Sequence, residues 1–316
     1  MRKLVLLLCA LGLWASDAAA YPASVVRIIV AFPPGGAVDL VARSLAQELS
    51  ARWPYQVVVD NKPGAGTIVG TEAAAKAAPD GQTLLLAVTS LAVNASLYDK
   101  LPYNALKDFV PISLVASAPN VLMVNASLPV KNVDELVALI KANPGKYNFG
   151  SPGVGSLMHL AGELFKSQAG IDVMHVPYKG TAPMLSDLIS GQVEFTFDNG
   201  ALLEQVYAGK LKALAVTGKK RLSVLPDVPT MIEVGLPGFE ATSWYGLFAP
   251  AGTPDAVVQQ INRDVNRALE QPELRERLAK FNLTPAGTTP AELGQHLSEE
   301  TARWEKVIRG ANIRVE

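Results

Sequence analysis

The chain of 316 residues holds a single cysteine, Cys9, and only three histidines. This supply is too small to predict a zinc site or a cysteine–histidine nucleophile. Net charge is also nearly absent, because 28 Lys and Arg stand against 29 Asp and Glu. A nucleic-acid partner is therefore not expected, since binding to phosphate backbones requires an excess of basic residues.

Beyond residues 1–20 the chain lacks any apolar run long enough to predict a membrane-spanning helix. Within them, Arg2-Lys3 precedes an apolar segment at 4–14 and the small residues Ala18-Ala19-Ala20. This order is typical of a secretory signal peptide, and cleavage after it would place the mature protein in the periplasm without a thiol. The alternative, a lipoprotein anchored at Cys9, lacks the small residue expected before that cysteine.

Apolar residues, by contrast, make up 49% of the chain, which excludes a disordered protein. Short β-branched segments alternate with segments of helical periodicity, and this alternation indicates an α/β fold with parallel sheets covered by helices. Strands are predicted at 25–32, 56–59, 83–87, 120–124, 147–150, 172–176, 193–197 and 211–216. Helices are predicted at 38–53, 69–78, 132–143, 156–169, 181–190 and, with breaks at prolines, 254–309. Eight predicted strands joined by long connections favour two lobes over one open sheet.

Three strand-to-helix junctions, at 32–39, 150–156 and 178–183, share one composition. Each places Gly, with Ser or Thr in two of them, between the carboxyl end of a strand and the start of a helix. Free N–H groups and the helix dipole favour an anion there, and ligands of open α/β sheets bind in this crevice. Plain helix capping explains each junction singly. Their coincidence in one chain favours a shared anion site.

Enzymatic motifs are weak. The sequence holds no Walker motif, no complete dinucleotide fingerprint and no nucleophile elbow. Ser156, His159 and Asp198 can be drawn as a hydrolytic triad. However, Ser156 and His159 lie only one helical turn apart, and a single histidine in such a helix is more typical of packing or capping. An exported serine hydrolase is kept as an alternative.

Several different short motifs are spread along the chain, and the first is Pro33-Pro34-Gly35-Gly36 after an apolar strand. The others are Asn61-Lys62-Pro63-Gly64-Ala65-Gly66, Pro79-Asp80-Gly81, His175-Val176-Pro177-Tyr178-Lys179-Gly180, Leu225-Pro226-Asp227-Val228-Pro229-Thr230 and Ala249-Pro250-Ala251-Gly252-Thr253-Pro254. Together they resemble the Bug receptors, the TctC-like solute-binding proteins of tripartite tricarboxylate transporters. Met184 departs from the family pattern, where a small residue is common, and is expected to reshape one wall of the pocket.

The resemblance implies a periplasmic binding protein of type II, with two α/β lobes and a ligand cleft between them. Lobe 1 is expected to comprise residues 21–122 and about 240–316, and lobe 2 residues from about 123 to 239. The implied function is capture of a small organic acid, including amino acids and aromatic acids, for the cognate membrane transporter subunits. No cofactor, metal or catalytic residue is implied, and a monomer is expected. A ligand-sensing adaptor for a membrane signalling partner would share this fold and is left open.

Carried over by motif, the resemblance also implies a ligand-binding set drawn from both lobes. Lobe 1 would contribute Phe32, Pro34, Gly35, Gly36, Thr89 and Ser90, and lobe 2 would contribute Ser151, Gly155, Ser156, Thr181, Asp198 and Asn199. In this family, amides, hydroxyls and water hold the carboxylate without an obligatory arginine. The three junctions agree, because they contain donors but no Arg. Asp198 has an alternative role as a cap of the following helix.

Overall fold

The computed structural model describes Tyr21, residues 24–200 and residues 202–315. The predicted signal peptide at 1–20, together with Cys9, lies outside the described residues. The strands are β1 (Val26–Val30), β2 (Val57–Asn61), β3 (Thr83–Val88), β4 (Phe109–Pro119), β5 (Val121–Asn125), β6 (Asn148–Ser151), β7 (Met174–Pro177), β8 (Phe195–Asp198), β9 (Leu211–Val216), β10 (Thr242–Pro250) and β11 (Thr284–Pro285).

Helices lie between most of these strands along the chain, except between β4 and β5 and between β9 and β10. They are α1 (Ala37–Ser50), α2 (Ile68–Ala75), α3 (Ser90–Leu97), α4 (Val133–Ala142), α5 (Leu157–Ala169), α6 (Thr181–Ser190), α7 (Leu203–Tyr207), α8 (Asp255–Leu269), α9 (Pro272–Ala279) and α10 (Pro290–Gly310). A short 3₁₀ turn, Ala65–Thr67, precedes α2. Of the helices in the described ranges, none combines the length and the hydropathy needed to cross a bilayer.

The first sheet has the strand order β11-β4-β10-β3-β1-β2. Its centre is strongly apolar, since β1 reads VRIIV and β3 reads TLLLAV, and both are almost wholly buried. On one face, α1 packs against this centre through Val41, Leu45 and Leu49, which are fully buried and spaced four residues apart. The predicted strand and helix at this end of the chain are therefore both observed.

The second sheet has the order β7-β6-β8-β5-β9. Both sheets are mixed, which corrects the expectation of parallel sheets. β1 runs parallel to β2 and β3, but β10 is antiparallel to β3 and β4, and β5 is antiparallel to β8 and β9. Apart from the short β11, which is antiparallel to β4, the exceptions involve strands next to the crossings between sheets. They need no crossover helix, so the rule that makes βαβ units parallel does not apply to them.

The chain changes sheet between Pro119 and Val121 and again between Val216 and Thr242. The two crossings are joined by hydrogen bonds around Asn120, which is fully buried. The Asn120 amide N–H donates to Thr217 Oγ1 at 2.8 Å, and its side-chain amide donates to the Ala241 carbonyl at 2.6 Å. These bonds hold the two connections side by side. The lobe boundaries near residues 122 and 240 stay a prediction.

Candidate functional site

A cavity of about 440 Å³, here called the cleft cavity, is lined by residues that follow strands of both sheets. Six of the predicted ligand-binding residues line it: Phe32, Thr89, Ser90, Gly155, Ser156 and Asn199. The other six lie outside this lining: Pro34, Gly35, Gly36, Ser151, Thr181 and Asp198. A larger groove of about 580 Å³ runs between α5 and α10, but no predicted site residue lines it.

On the side of the first sheet, the cavity meets the start of α3. Thr89 is only 6% exposed, and its hydroxyl has no hydrogen-bond partner among the described residues. A buried hydroxyl without a partner is costly, and Thr89 is one of the residues that line the cavity. The Ala92 and Val93 amides already donate to the Thr89 carbonyl at 3.1 Å each, so the amides left for a ligand at the start of α3 are those of Ser90 and Leu91, at the positive end of the helix dipole.

Hydrogen bonds connect the start of α3 to the turn that precedes α2. Thr67 Oγ1 donates to Ser90 Oγ at 3.1 Å, and the side-chain amide of Asn94 donates to the Gly66 carbonyl at 2.8 Å. The turn that carries Thr67 is strained, because Ala65, Gly66 and Thr67 all have positive φ angles of 44°, 60° and 80°. Two of them are not glycine, and such a conformation costs of order 1–3 kcal/mol per residue where the surrounding structure enforces it.

On the side of the second sheet, the loop between β6 and α5 forms the wall. Ser156 is the N-cap of α5: its hydroxyl accepts from the His159 amide at 3.3 Å and donates to the Gly153 carbonyl at 2.7 Å. Gly155 has a φ of 75°, and a Cβ there would lie 2.5 Å from Leu97 Cδ1 on α3. The two walls therefore meet at Gly155 and Leu97.

Two stacked histidines lie beneath this loop. The rings of His159 and His175 are 3.7 Å apart and nearly parallel, at 9°. His159 Nδ1 accepts from the Gly155 N–H at 3.1 Å, and His175 Nε2 lies 2.7 Å from Ser151 Oγ. Burial, with a smaller effect of Lys166, lowers the pKa of His159 to about 4. Burial and then the neighbouring His159 lower the pKa of His175 to about 3.

This arrangement is not the hydrolytic triad considered from the sequence. His159 uses Nδ1 to accept from Gly155, and its Nε2 lies 3.9 Å from Glu163 Oε1. The Ser156 hydroxyl is engaged with Gly153 and the His159 amide. Because no base is aligned with the Ser156 hydroxyl, these residues serve as a cap and its support.

In the first junction, around Gly35, the hydrogen-bond donors bind a carboxylate of the protein itself. The Gly35 N–H and Arg43 Nε donate to Asp39 Oδ2 at 3.0 and 2.8 Å, and the Asn61 amide donates to Asp39 Oδ1 at 2.9 Å. Burial raises the pKa of Asp39, but the bonds from Arg43, Gly35 and Asn61 outweigh it and lower this pKa to about 2. The Gly35 amide therefore serves an internal carboxylate. Of the predicted residues here, only Phe32 lines the cavity.

The third junction and the end of β8 contribute few residues to the lining of the cleft cavity. Thr181 begins α6 outside the cavity lining. Asp198 is buried, and its Oδ1 accepts from the amides of Gly200 and Leu202 at 2.9 Å each, which stabilises the turn that precedes α7. The N-cap of α7 is Leu202 and has no side-chain cap bond, so Asp198 does not cap this helix. Only the adjacent Asn199 lines the cavity. Met184 is 1% exposed in a core cluster with Val121 and Met123 of β5 and is not among the residues that line the cavity, which corrects the sequence-based expectation.

Several lining residues were missed from the sequence. Gly66 is the last residue of the Gly64-Ala65-Gly66 motif, and Thr67 follows it directly; neither residue was assigned to the site from the sequence. Ser243 and Tyr245 on β10 and Val315 near the chain end carried no local signal, because they reach the cavity only through tertiary packing. Among the described lining residues there is no Asp, Glu, Lys, Arg or His. The described residues also contain no group of His, Cys, Asp and Glu suited to a metal.

Comparison with known proteins agrees with this architecture. Residues 41–313 match the family described as "Tripartite tricarboxylate transporter family receptor". Protein BugT of Bordetella pertussis is 41% identical over 299 residues, which cover 93% of this chain and 92% of BugT. The periplasmic binding protein BugD is 35% identical with a TM-score of 0.76, covering 93% of this chain and 100% of its own. A protein of R. palustris solved with adipate is 36% identical with a TM-score of 0.79, at the same coverage.

These similarities confirm two predictions made from the sequence. The Bug-type resemblance holds along nearly the whole described chain, and the fold is that of a periplasmic solute-binding protein. The ligand-binding residues stay a prediction, now sharpened by the cavity that brings six of them together.

Proposed function

Because the chain belongs to the tripartite tricarboxylate transporter receptor family, we propose that it captures a small carboxylate between its lobes in the periplasm and delivers it to cognate membrane transporter subunits. The signal peptide expected at residues 1–20 supports export. The adipate held by the R. palustris relative supports a carboxylate ligand. The receptor acts as a monomer, without cofactor or nucleic acid, and performs no chemistry on its ligand.

One observation carries the proposal: Thr89, whose buried hydroxyl has no hydrogen-bond partner among the described residues, lines the cavity at the start of α3. A carboxylate oxygen that reaches this hydroxyl accepts from it and from the amides of Ser90 and Leu91, the first two of α3. Hydrogen bonds to an ionised group are short and strong, and the helix dipole favours the negative charge. Neutral donors thus satisfy the ligand without a basic side chain.

Gly155 and Leu97 lie close together on opposite walls of the cavity, so we expect ligand binding to be coupled to closure of the lobes. A ligand that touches both walls binds the closed arrangement and not the unfolded chain. At one hundred times its Kd, such a ligand adds about 2.7 kcal/mol to the free energy of unfolding. Binding is therefore expected to raise the melting temperature measurably.

The direct test is a thermal-shift screen of carboxylates against the purified receptor, followed by calorimetry on the compounds that stabilise it. At least one carboxylate should bind with one-to-one stoichiometry and be recovered unchanged. Stabilisation only by uncharged or cationic compounds would overturn the proposal, and so would turnover of the bound acid. Mass spectrometry of the exported protein should find a chain that begins near Tyr21. In a separate assay, binding of the receptor to membranes that contain the transporter subunits should require the ligand.

A further inference from the structure

A second cavity, also of about 440 Å³, adjoins the cleft cavity. It lies between α7 and the segment that joins α9 to β11, and Tyr207 and Phe281 are among its lining residues. Of the described residues, Asn199 and Tyr245 line both cavities. Asn199 follows β8 of the second sheet, and Tyr245 lies on β10 of the first. The place where these two residues border both cavities, here called the shared wall, therefore receives one side chain from each sheet.

Tyr245 and its neighbour Trp244 point to opposite faces of β10, as successive residues of a strand do. Trp244 packs in the core on the α10 side of the first sheet, and its indole N–H donates to Glu300 Oε2 at 3.2 Å. Tyr245 packs in the core on the α1 side. Because Ala37 at the start of α1 lines the second cavity, the ring of Tyr245 reaches the shared wall from this side of the sheet.

The hydroxyl of Tyr245 is a free donor in buried surroundings. Tyr245 is 3% exposed, and its hydroxyl forms no hydrogen bond with a described residue. Burial alone raises the pKa of this phenol to about 12, so it stays protonated at neutral pH and able to donate. In the described part of the chain, the unpartnered polar side-chain atoms that are sealed from solvent belong to Thr89, Tyr103, Asn120, Arg277 and His296. The Tyr245 hydroxyl is not one of them and therefore keeps accessible surface towards the cavities.

A buried phenol without a partner is costly unless a ligand or a water molecule supplies an acceptor. The carboxamide of Asn199 both donates and accepts, so it complements the phenol from the other sheet. Resting on the proposed function, we propose that Tyr245 is a further ligand-binding residue, whose hydroxyl donates to an oxygen atom of the bound acid at the shared wall, beside Asn199. Because the two residues belong to different sheets, both contact this oxygen only when the lobes are together.

Tyr245→Phe tests this contact, because it removes the hydroxyl and keeps the ring. Adipate, glutamate and benzoate are the first probes in calorimetry at pH 7, and any other carboxylate that stabilises the receptor is titrated in the same way. The acid that binds the unaltered receptor most tightly should bind Tyr245→Phe about tenfold more weakly. The melting temperature of the free protein should not fall, since the hydroxyl bonds to no other part of the described chain.

Tyr147→Phe is the matched control: Tyr147 is 9% exposed in the core and lines neither cavity, so the affinity should stay unchanged. Equal affinities in the two tyrosine variants would overturn the inference and leave the carboxylate receptor standing. If no carboxylate binds the unaltered receptor, the proposed function fails and the inference fails with it.

The contribution of the second sheet is tested by Asn199→Asp, which adds a carboxylate at the shared wall with little change of shape. Repulsion between like charges should weaken the same acid at least tenfold. Gln192→Glu adds the same charge at an exposed position that lines neither cavity, and it should leave the affinity unchanged. An Asn199→Asp receptor that binds as tightly as this control would place the acid away from the shared wall and overturn the inference. The Tyr245→Phe comparison remains decisive if Asn199→Asp does not fold.

Discussion

Thr89 and Ser156 line the cleft cavity from opposite walls, and their hydroxyls differ in what they bind. Thr89 precedes α3, is buried and has no partner among the described residues. Ser156 precedes α5 and is engaged twice, by the Gly153 carbonyl and by the His159 amide. By sequence the two positions look alike, since each is a hydroxyl residue at the start of a helix. Their hydrogen bonds separate a group available to a ligand from a group that stabilises a helix end.

The largest effect is expected from Thr89→Val, which removes the hydroxyl and keeps the shape of the side chain. The loss of one hydrogen bond to a charged ligand is worth roughly 1.5–3 kcal/mol, or about ten- to hundredfold in affinity. The free protein should be as stable as before or more so, because a buried unsatisfied group disappears. Calorimetry and thermal melting measure the two quantities. A variant that binds normally would show that the Thr89 hydroxyl does not contact the ligand.

The two walls should also differ in their response to acid, because only the Ser156 wall rests on His159 and His175. Their folded pKa values, about 4 and about 3, lie below the ordinary value of 6.5. The unfolded chain therefore takes up protons first, so stability is complete above pH 6.5 and falls as the pH drops towards 4. Between pH 7 and pH 5 the loss should be on the order of 2 kcal/mol for each histidine, or about 4 kcal/mol for the two together.

Thermal melting as a function of pH measures this loss, and His175→Phe keeps an aromatic ring in the stack while removing one titrating group. Its slope between pH 7 and pH 5 should be smaller than that of the unaltered protein. Asp39, with a pKa of about 2, contributes only at lower pH, since its stabilisation is lost as the pH falls from about 4 towards 2. If the melting temperature of His175→Phe falls with pH as steeply as that of the unaltered protein, the acid sensitivity comes from other groups.

The point where the two walls meet is tested by Gly155→Ala. The added Cβ would lie 2.5 Å from Leu97 Cδ1, so the walls must separate or Leu97 must move, and affinity should fall about tenfold. Gly145→Ala is the control, because Gly145 has a similar φ of 73° and open space around it. Both variants carry the cost of a left-handed alanine, about 1 kcal/mol, but only Gly155→Ala should weaken the ligand. Equal affinities in the two variants would place the ligand-bound closure elsewhere.

The smallest effect on binding is expected from Ser156→Ala. Loss of an N-cap costs about 1 kcal/mol of stability. Affinity should change by less than threefold, since the Ser156 hydroxyl is already engaged within the protein. Denaturant unfolding and calorimetry measure both quantities. A loss of affinity as large as that of Thr89→Val would mean that Ser156 turns to the ligand on binding, and the contrast between the walls would disappear.

Elements with a one-sided apolar pattern could be predicted, and those buried on several sides could not. The helix α1 shows the stripe Val41, Leu45, Leu49 and was expected. The helix α3 was missed, because its buried residues, among them Leu91, Ala92 and Val93, surround the helix instead of forming a stripe. The strand β10 was missed as well, since it is defined by pairing with β3 and β4, far away in the chain.

By itself the sequence determined the family, the alternation of strands and helices, and a supply of neutral donors at the starts of helices. Only the tertiary structure decided which donors are free. The Gly35 amide is engaged by Asp39, and the Ser156 hydroxyl is engaged within its own loop, whereas the Thr89 hydroxyl has no partner among the described residues. The physical reason is that a donor's availability depends on whether an acceptor is packed within about 3 Å of it. That is a property of the folded neighbourhood, and residue type does not encode it.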